Sequence, residues 1–506
     1  MRCVVWLGIL TITLGSAGTS PAADPETVFL AGFAERDITP EIGMEQPGGY
    51  GKAFHRTLHD PCKARAAVFS DGKTRVAVVS IDALMVQRPT VLKIREKIEK
   101  ACGIPGHAVL LHATHSHSSG PFGMVLPGEY DGASDLIKKL AYEESSCANA
   151  EYLAMAEKQI TDAVVEADVK KAALKCNVGS GHEDQIAFNR RFRMKNGLTF
   201  THPRPGNPDI IEPAGPTDPQ VGVIGAWDEK GKLVGCIVNY SCHATTSPGG
   251  ISASYIQYLE EVIRGVFGDD VVVVYLNGAS GDVTQVDNLT KYVSPKPEQW
   301  SRLVGGTIGA EAVKVLLREE PGVLLPVAYD TKTLEIARRK PDPQRVAQCE
   351  KIVTGPKNQP DATAWTFAKE IVMLDYLCQV SPVVEAEVQA IQVGPVVMLT
   401  DPAEYFVEYG LKIKEASPFP LTFPVSLANG CVGYVPTEEA FSERGGGYET
   451  RLTSYSNLEI TAGTQFMNAA IELAKKLKPG TIPTRALVPP YSGGPWTYGN
   501  LPPELK

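Results

Sequence analysis

Apolar and polar positions alternate along the chain in short blocks, some with a period of two and some with a period near four. Residues 27–36 (TVFLAGFAER) read as a strand, and 62–82 as a hairpin turning at Asp71-Gly72. A helix is predicted from Thr90 to Ala101, then a short strand, HAVLLHATHSHS, over 107–118. A long amphipathic helix over 148–167 and a strand over 172–181 follow. The Pro- and Gly-rich stretch 203–220 reads as a loop, before a second hairpin turning at Lys230-Gly231. A helix over 254–267 leads into the run VVVVYL, which suits a central strand covered on both faces. A helix is expected over 297–319, a strand over 324–338 and a polar surface segment over 340–365. The last third has a hairpin over 387–401, a helix over 402–416, a strand over 421–428 and a helix over 457–476. The segment from Pro479 reads as coil, and no internal repeat is visible. The expected fold is α/β, with mixed sheets covered by helices.

The N-terminus departs from this pattern. Arg2 precedes the apolar stretch Val4 to Leu14 and a run of small residues up to Asp24, which reads as a secretory signal peptide over residues 1–23. About eleven apolar residues are too few to span a bilayer, which takes about 20. The expected organisation is this leader, one domain over 24–478 and a Pro/Gly-rich tail over 479–506. The expected location is secreted or periplasmic, with no transmembrane segment. Hydrophobic residues at 43% and charged residues at 21% exclude a disordered chain, a coiled coil and a collagen-like fibre. A net charge of −9 argues against nucleic acid as the partner. The ten cysteines form no CxxC pair, so neither a zinc ribbon nor a thioredoxin motif is present. Export would permit disulfides such as Cys349 with Cys378, whereas Cys236, in an apolar strand, reads as a buried small hydrophobe.

Five places carry candidate chemistry. His115 and His117, in HATHSHS, lie two apart at a predicted strand end and so would share a face, as two imidazoles presented to a metal or substrate. The plainer reading is a polar strand end. His243, in NYSCHATT, leaves a second apolar strand for a loop, and strand ends crowd together at the edge of an α/β sheet. The loop after VVVVYL, NGASGDVTQVDN, offers Ser280, Asp282, Thr284, Gln285 and Asp287, and is neither a nucleophile elbow nor a P-loop. Glu404 is expected to begin a helix, either as a dipole-favoured acid or as the carboxylate completing a His₂Glu zinc site. Tyr434, in GCVGYVPT, is most simply a packing residue.

In this order, the five pieces resemble the catalytic domain of the neutral/alkaline, non-lysosomal ceramidases. ATHSHS at 113–118 matches the family's ATHTHS, and His59 with ARAAVF at 64–69 matches an earlier segment. Asn189-Arg190-Arg191 is similar to the NRS motif, SCHATT to the zinc-histidine segment, GDVTQVDN to the GDVSPN loop and TDPAE to LPGE. Tyr434-VPTEEAF and Tyr448-Glu449 resemble the last conserved stretch. The likeness runs over about residues 28–465 and implies a ceramidase-like fold. It implies one zinc ion per chain bound by His115, His243, Glu404 and Tyr434, with His117, Arg190, Thr284 and Tyr448 as catalytic residues. Arg190 would hold a polar part of the substrate, and Tyr448 would donate a hydrogen bond near the scissile amide. The implied substrate is a small lipid-like N-acyl amide, ceramide or a relative, reached by peripheral contact with membrane lipid. Thr284 stands where the family has serine, Gln285 where it has proline, and NRRF replaces NRSP. With its last residue at Lys506, the chain is expected to be a short homologue lacking the family's C-terminal β-sandwich domain. Two other functions are weighed beside the zinc amidohydrolase. One is a metal-independent hydrolase with Ser280 or Thr284 as nucleophile and His117 as base. The other is a binding protein that keeps the fold without the chemistry.

Overall fold

The computed structural model describes residues 28–494, 496, 498, 499 and 501–506, so the expected leader over 1–23 lies outside the described residues. Three four-stranded sheets form the body. The first joins Leu30–Asp37, Lys63–Ser70 and Arg75–Ile81 as an antiparallel meander; helix Arg88–Cys102 then returns the chain to a parallel edge strand, Val109–Ala113. The second does the same with Lys175–His182, Gln220–Trp227 and Leu233–Tyr240, then helix Tyr255–Phe267 and parallel Val272–Asn277. The third repeats it with Val327–Ala337, Val383–Val393 and Val396–Thr400, then helix Val407–Ala416 and parallel Leu421–Val425. The fold is mixed α/β as expected, and its unit recurs three times although no sequence repeat announces it.

VVVVYL was expected at a sheet centre but lies at an edge. Val272–Asn277 pairs only with Leu233–Tyr240 inside its sheet, yet all six of its residues are buried. A buried edge must still satisfy its backbone groups. Here the neighbouring sheets supply the partners. Ser80 Oγ donates to Tyr275 O at 2.6 Å, and Asn277 N donates to His112 Nε2 at 2.9 Å. Ser426 N donates to Asn277 O at 3.1 Å, and Asn429 N donates to Leu111 O at 2.8 Å. The carboxyl ends of the three edge strands therefore adjoin. Crevices in α/β folds form beyond such ends.

Other expectations are corrected. The loop over 203–220 contains the strand Ile210–Pro213, which pairs with Arg191–Met194 in a small three-stranded sheet. The segment 340–365 holds helix Pro343–Thr354 and the start of helix Ala362–Val380. Asp342 and Asp361 cap them by accepting from the first backbone amides. The second helix is buried round most of its circumference, so it shows no one-sided apolar stripe. It packs with residues 125–141 in a hydrophobic cluster separate from the main cores. The helix expected over 402–416 starts only at Val407. All nine cysteines of the described residues are free. The Cys349–Cys378 pairing is not formed; both are free and buried, one on each of these helices.

A buried ion pair joins the first and third sheets. Arg95 donates to both Glu387 oxygens, at 2.9 and 2.8 Å, and Arg88 Nη1 adds a contact at 3.1 Å. Burial alone would raise the Glu387 carboxyl, but Arg95 and then Arg88 hold it below the ordinary value of 4.5. A depressed carboxyl stabilises the fold above its ordinary value, and that contribution is lost as pH falls through the folded value. Glu387→Gln leaves Arg95 buried and unpaired, and is expected to cost about 3–5 kcal/mol at pH 7. Thermal unfolding against pH checks this: the gap between wild type and variant should close below pH 4.5.

Candidate metal centre

The site groups leave strand ends of the three repeated units. His243 lies three residues past Leu233–Tyr240, Glu404 four past Val396–Thr400 and His115 two past Val109–Ala113. The strand that was expected to carry His115 and His117 ends at Ala113, and His115 is left-handed (φ 68°), so strand alternation does not orient the pair. The turn costs about 1–2 kcal/mol in a residue with a Cβ. It sets the two rings edge to face, 4.8 Å apart at 85°, with their Nε2 atoms at 3.3 Å. Glu404 begins no helix. It sits in a short parallel bridge, Glu404 opposite Tyr434 and Tyr405 opposite Val435, which brings Tyr434 beside it. Helix-dipole stabilisation therefore does not account for this acid.

One ligand atom from each of His115, His243 and Glu404 lies within 4.8 Å of the others, and all three residues are buried. Each imidazole is fixed from behind. His115 Nδ1 donates to Leu84 O at 2.8 Å, and His243 Nδ1 to Ser280 O at 2.6 Å. Glu404 Oε2 lies 2.9 Å from His243 Nε2 and 3.3 Å from His115 Nε2. Tyr455 Oη donates to Glu404 Oε1 at 2.7 Å. With both Nδ1 protons given to carbonyls, the Nε2 lone pairs face a carboxylate oxygen, an arrangement that a cation completes. Burial, with Arg190 adding to it, pushes His243 down to about 4, so its ring is neutral at pH 7. Burial works to raise Glu404, but His115 and His243 more than offset it and hold the carboxyl well below the usual range. The donor set therefore fits a metal ion of the kind that takes nitrogen and oxygen ligands.

The surroundings divide the remaining expected residues. Tyr434 and Tyr448 share a hydroxyl–hydroxyl bond of 2.8 Å, and the Tyr434 ring is parallel to that of His243. The Arg190 guanidinium lies 5.4 and 5.2 Å from the Tyr434 and Tyr448 ring centres. Its Nε donates to Glu449 Oε1 at 2.9 Å and its Nη2 to Gly281 O at 2.6 Å, while Nη1 lies 3.3 Å from His243 Nε2, so the guanidinium reaches the centre itself. Thr284 is not brought to the cavity; its Oγ1 accepts from Val286 N at 3.2 Å. Ser280 Oγ accepts from Asn277 Nδ2 at 3.1 Å, and His117 makes no hydrogen bond to it or to Thr284. The GASGD loop instead supports the centre: Ser280 O holds His243, Gly281 O holds Arg190, and Asp282 accepts from Val407 N at 2.9 Å. Gln285 Oε1 accepts from Thr245 Oγ1 at 3.0 Å, and Asp287 Oδ1 closes a local turn with Leu289 N at 2.8 Å.

The centre opens on a cavity of about 100 Å³ lined by His115, His117, Glu404, Tyr434, Tyr448 and Tyr455, with Tyr50, Leu84, Met85 and Met124 on the apolar side. A larger hollow of about 820 Å³, beside Phe29 and Trp227, contains none of these groups. Gly48 (φ 115°) packs against His117, where a Cβ would come within 2.6 Å of Nδ1. Sequence reading missed Tyr50 and Tyr455 altogether, and Glu449 was noted only beside Tyr448. The segment YETRLTSYS carried the signal, as a cluster of tyrosines with one acid, but its partners are distant in the chain.

No family model matches the chain. The neutral ceramidase of Pseudomonas aeruginosa is 26% identical over 234 residues, which span 45% of this chain and 32% of that protein. The matched stretch is thus about a third of the relative's length. A structure of "Ceramidase complexed with C2" superposes with a TM-score of 0.63 at 18% identity, covering 92% of this chain and 77% of that one. The crystal structure of neutral ceramidase from Pseudomonas aeruginosa also gives 0.63, at 19% identity, covering 91% and 77%. In sequence and in fold, this chain is similar to neutral ceramidase.

Proposed function

We propose that this chain is a zinc-dependent amide hydrolase acting on a lipid-like N-acyl amide, ceramide or a close relative. The observation that carries the reading is the convergence of His115, His243 and Glu404, with His115 and Glu404 lining a cavity. His₂Glu with an open position is the ligand pattern of hydrolytic zinc. Tyr434, beside Glu404, is the fourth proposed ligand or a close neighbour of the ion. Zinc held there would bring the pKa of its water to about 7 and polarise the amide carbonyl.

The chain's own groups supply the rest. Burial, then the charge of Glu404, holds the Tyr434 phenol well above 10. Burial also raises Tyr448, with Arg190 opposing. Both hydroxyls therefore keep their protons at neutral pH, and with Tyr434 at the ion Tyr448 can donate to an oxyanion forming at the carbonyl. Arg190, tied to Glu449 and Gly281, holds the two rings at fixed distances. His117, held well below its ordinary value by burial and by His115, is a neutral base that can take a proton from the attacking water and pass it to the leaving amine. The catalytic domain is proposed as residues 24–478, with 479–506 as a tail that has no helix or strand among its described residues. Export is proposed from the leader sequence over 1–23. No described helix is long and apolar enough to cross a membrane.

Purified protein is expected to hold about one zinc per chain, the stoichiometry of such a site. His243→Ala and Glu404→Ala should lose both the metal and amide hydrolysis, as read by elemental analysis beside release of free fatty acid. Full activity after chelation and metal removal would refute the mechanism. Tyr448→Phe should keep the metal and lower kcat by about 10²–10³-fold, the usual cost of one oxyanion donor. Steady-state kinetics on a short-chain ceramide checks it.

A further inference from the structure

We infer that Lys369 and Glu370, a buried ion pair on the inserted helix Ala362–Val380, are positioning residues that fix two walls of the cavity. Both side chains are almost wholly out of water, at 1% and 2% exposure. Lys369 Nζ lies 2.9 Å from Glu370 Oε1. It donates to Tyr50 O at 2.6 Å and to Ser145 Oγ at 2.6 Å, with Glu144 O at 3.3 Å. Glu370 Oε2 accepts from Ser454 Oγ. Tyr50 is on one wall of the cavity; Tyr455, next to Ser454, is on another and bonds Glu404. One ion pair thus grips the backbone of one wall and the neighbour of the other. The Tyr50 ring also meets Phe367 of the same helix at 5.8 Å.

The surroundings make a purely packing role a poor account. The helix lies in an apolar cluster with Trp365, Ile371, Val372 and Met373, which methionine would suit as well as lysine. Burying two charges is costly unless their donors and acceptors are met, and here they are met by the two wall segments together with Glu144 O and Ser145 Oγ. The Tyr50 segment needs such an anchor. It runs Gln46-Pro-Gly-Gly-Tyr-Gly, with Gly49 exposed, and it contacts His117 through Gly48 and through Gln46 Nε2, which donates to His117 O at 3.1 Å.

The test uses full-length zinc-loaded protein in three forms: Lys369→Met, Glu370→Gln and the paired variant carrying both changes. The paired variant leaves no uncompensated charge, so it keeps the experiment open if either single variant fails to fold. Amide hydrogen exchange is measured on peptides covering 44–52, 452–457 and 112–118. Exchange over 44–52 and 452–457 should rise about tenfold, with 112–118 and the zinc content unchanged. KM for the amide should rise about tenfold with kcat within about threefold, as when a binding wall loosens and the reacting groups do not. Unchanged exchange over 44–52, or a rise spread evenly over all peptides, overturns the assignment. The kinetic arm rests on the amide-hydrolase reading and the exchange arm does not. A wild type that binds zinc but cleaves no amide defeats that reading, and the exchange result still decides the role of the pair.

Discussion

Two imidazoles and a carboxylate are buried here with their lone pairs turned toward one another. Such an arrangement is repulsive unless a cation sits among the donors or the scaffold compels it. The rest of the molecule supplies the compulsion. Leu84 O and Ser280 O each take an Nδ1 proton, and Tyr455 holds the far oxygen of Glu404. Leu84, His243 and Glu404 each lie a few residues beyond the third strand of one sheet. His115 and Ser280 lie beyond edge strands. The centre is therefore assembled from the same place in three copies of one topological unit.

That origin explains the stiffness of the site. The edge strands meet in the middle of the molecule, where side chains of one sheet complete the backbone hydrogen bonds of another. A strand edge satisfied in this way cannot slide without breaking several buried bonds together. The bidentate Arg95–Glu387 pair adds a second tie between the first and third sheets. The left-handed His115 is sustained by this frame, because strain at one residue persists only where its surroundings over-determine it.

The three units are not decorated alike. The second and third strands of each unit are joined by a tight hairpin, at Asp71-Gly72, Lys230-Gly231 and Gly394-Pro395, but in the third unit the connection between the first and second strands carries helices Pro343–Thr354 and Ala362–Val380. This insertion forms its own apolar cluster and reaches the cavity through Lys369, Glu370 and Phe367. The geometry of the His115–His243–Glu404 cluster thus belongs to the repeated frame, and the cavity walls belong partly to one unit's insertion. Binding and catalytic variation commonly resides in such segments.

The sequence by itself determined most strands and helices, because hydrophobic period and turn residues are local properties. The hairpins at Asp71-Gly72 and Lys230-Gly231 and the helices near 88–102, 150–169 and 255–267 were legible for that reason. Helix Ala362–Val380 was not, since burial on most faces erases the one-sided stripe. His115, His117, His243 and Glu404 stood out as chemistry at strand ends, and order along the chain suggested one site. What sequence misjudged was orientation. Glu404 stands in a bridge rather than a helix, and a left-handed turn places His115 where strand alternation would not. Thr284 carried motif weight, yet its hydroxyl oxygen closes a local turn with Val286 N, whereas Arg190 reaches the centre through Nη1 beside His243. Tyr50, Tyr455 and the Lys369–Glu370 pair came only from tertiary structure. Their contacts join residues far apart in the chain, 51 positions for Tyr455 with Glu404 and 319 for Lys369 with Tyr50, and no local pattern of propensity or period encodes a hydrogen bond across such separations.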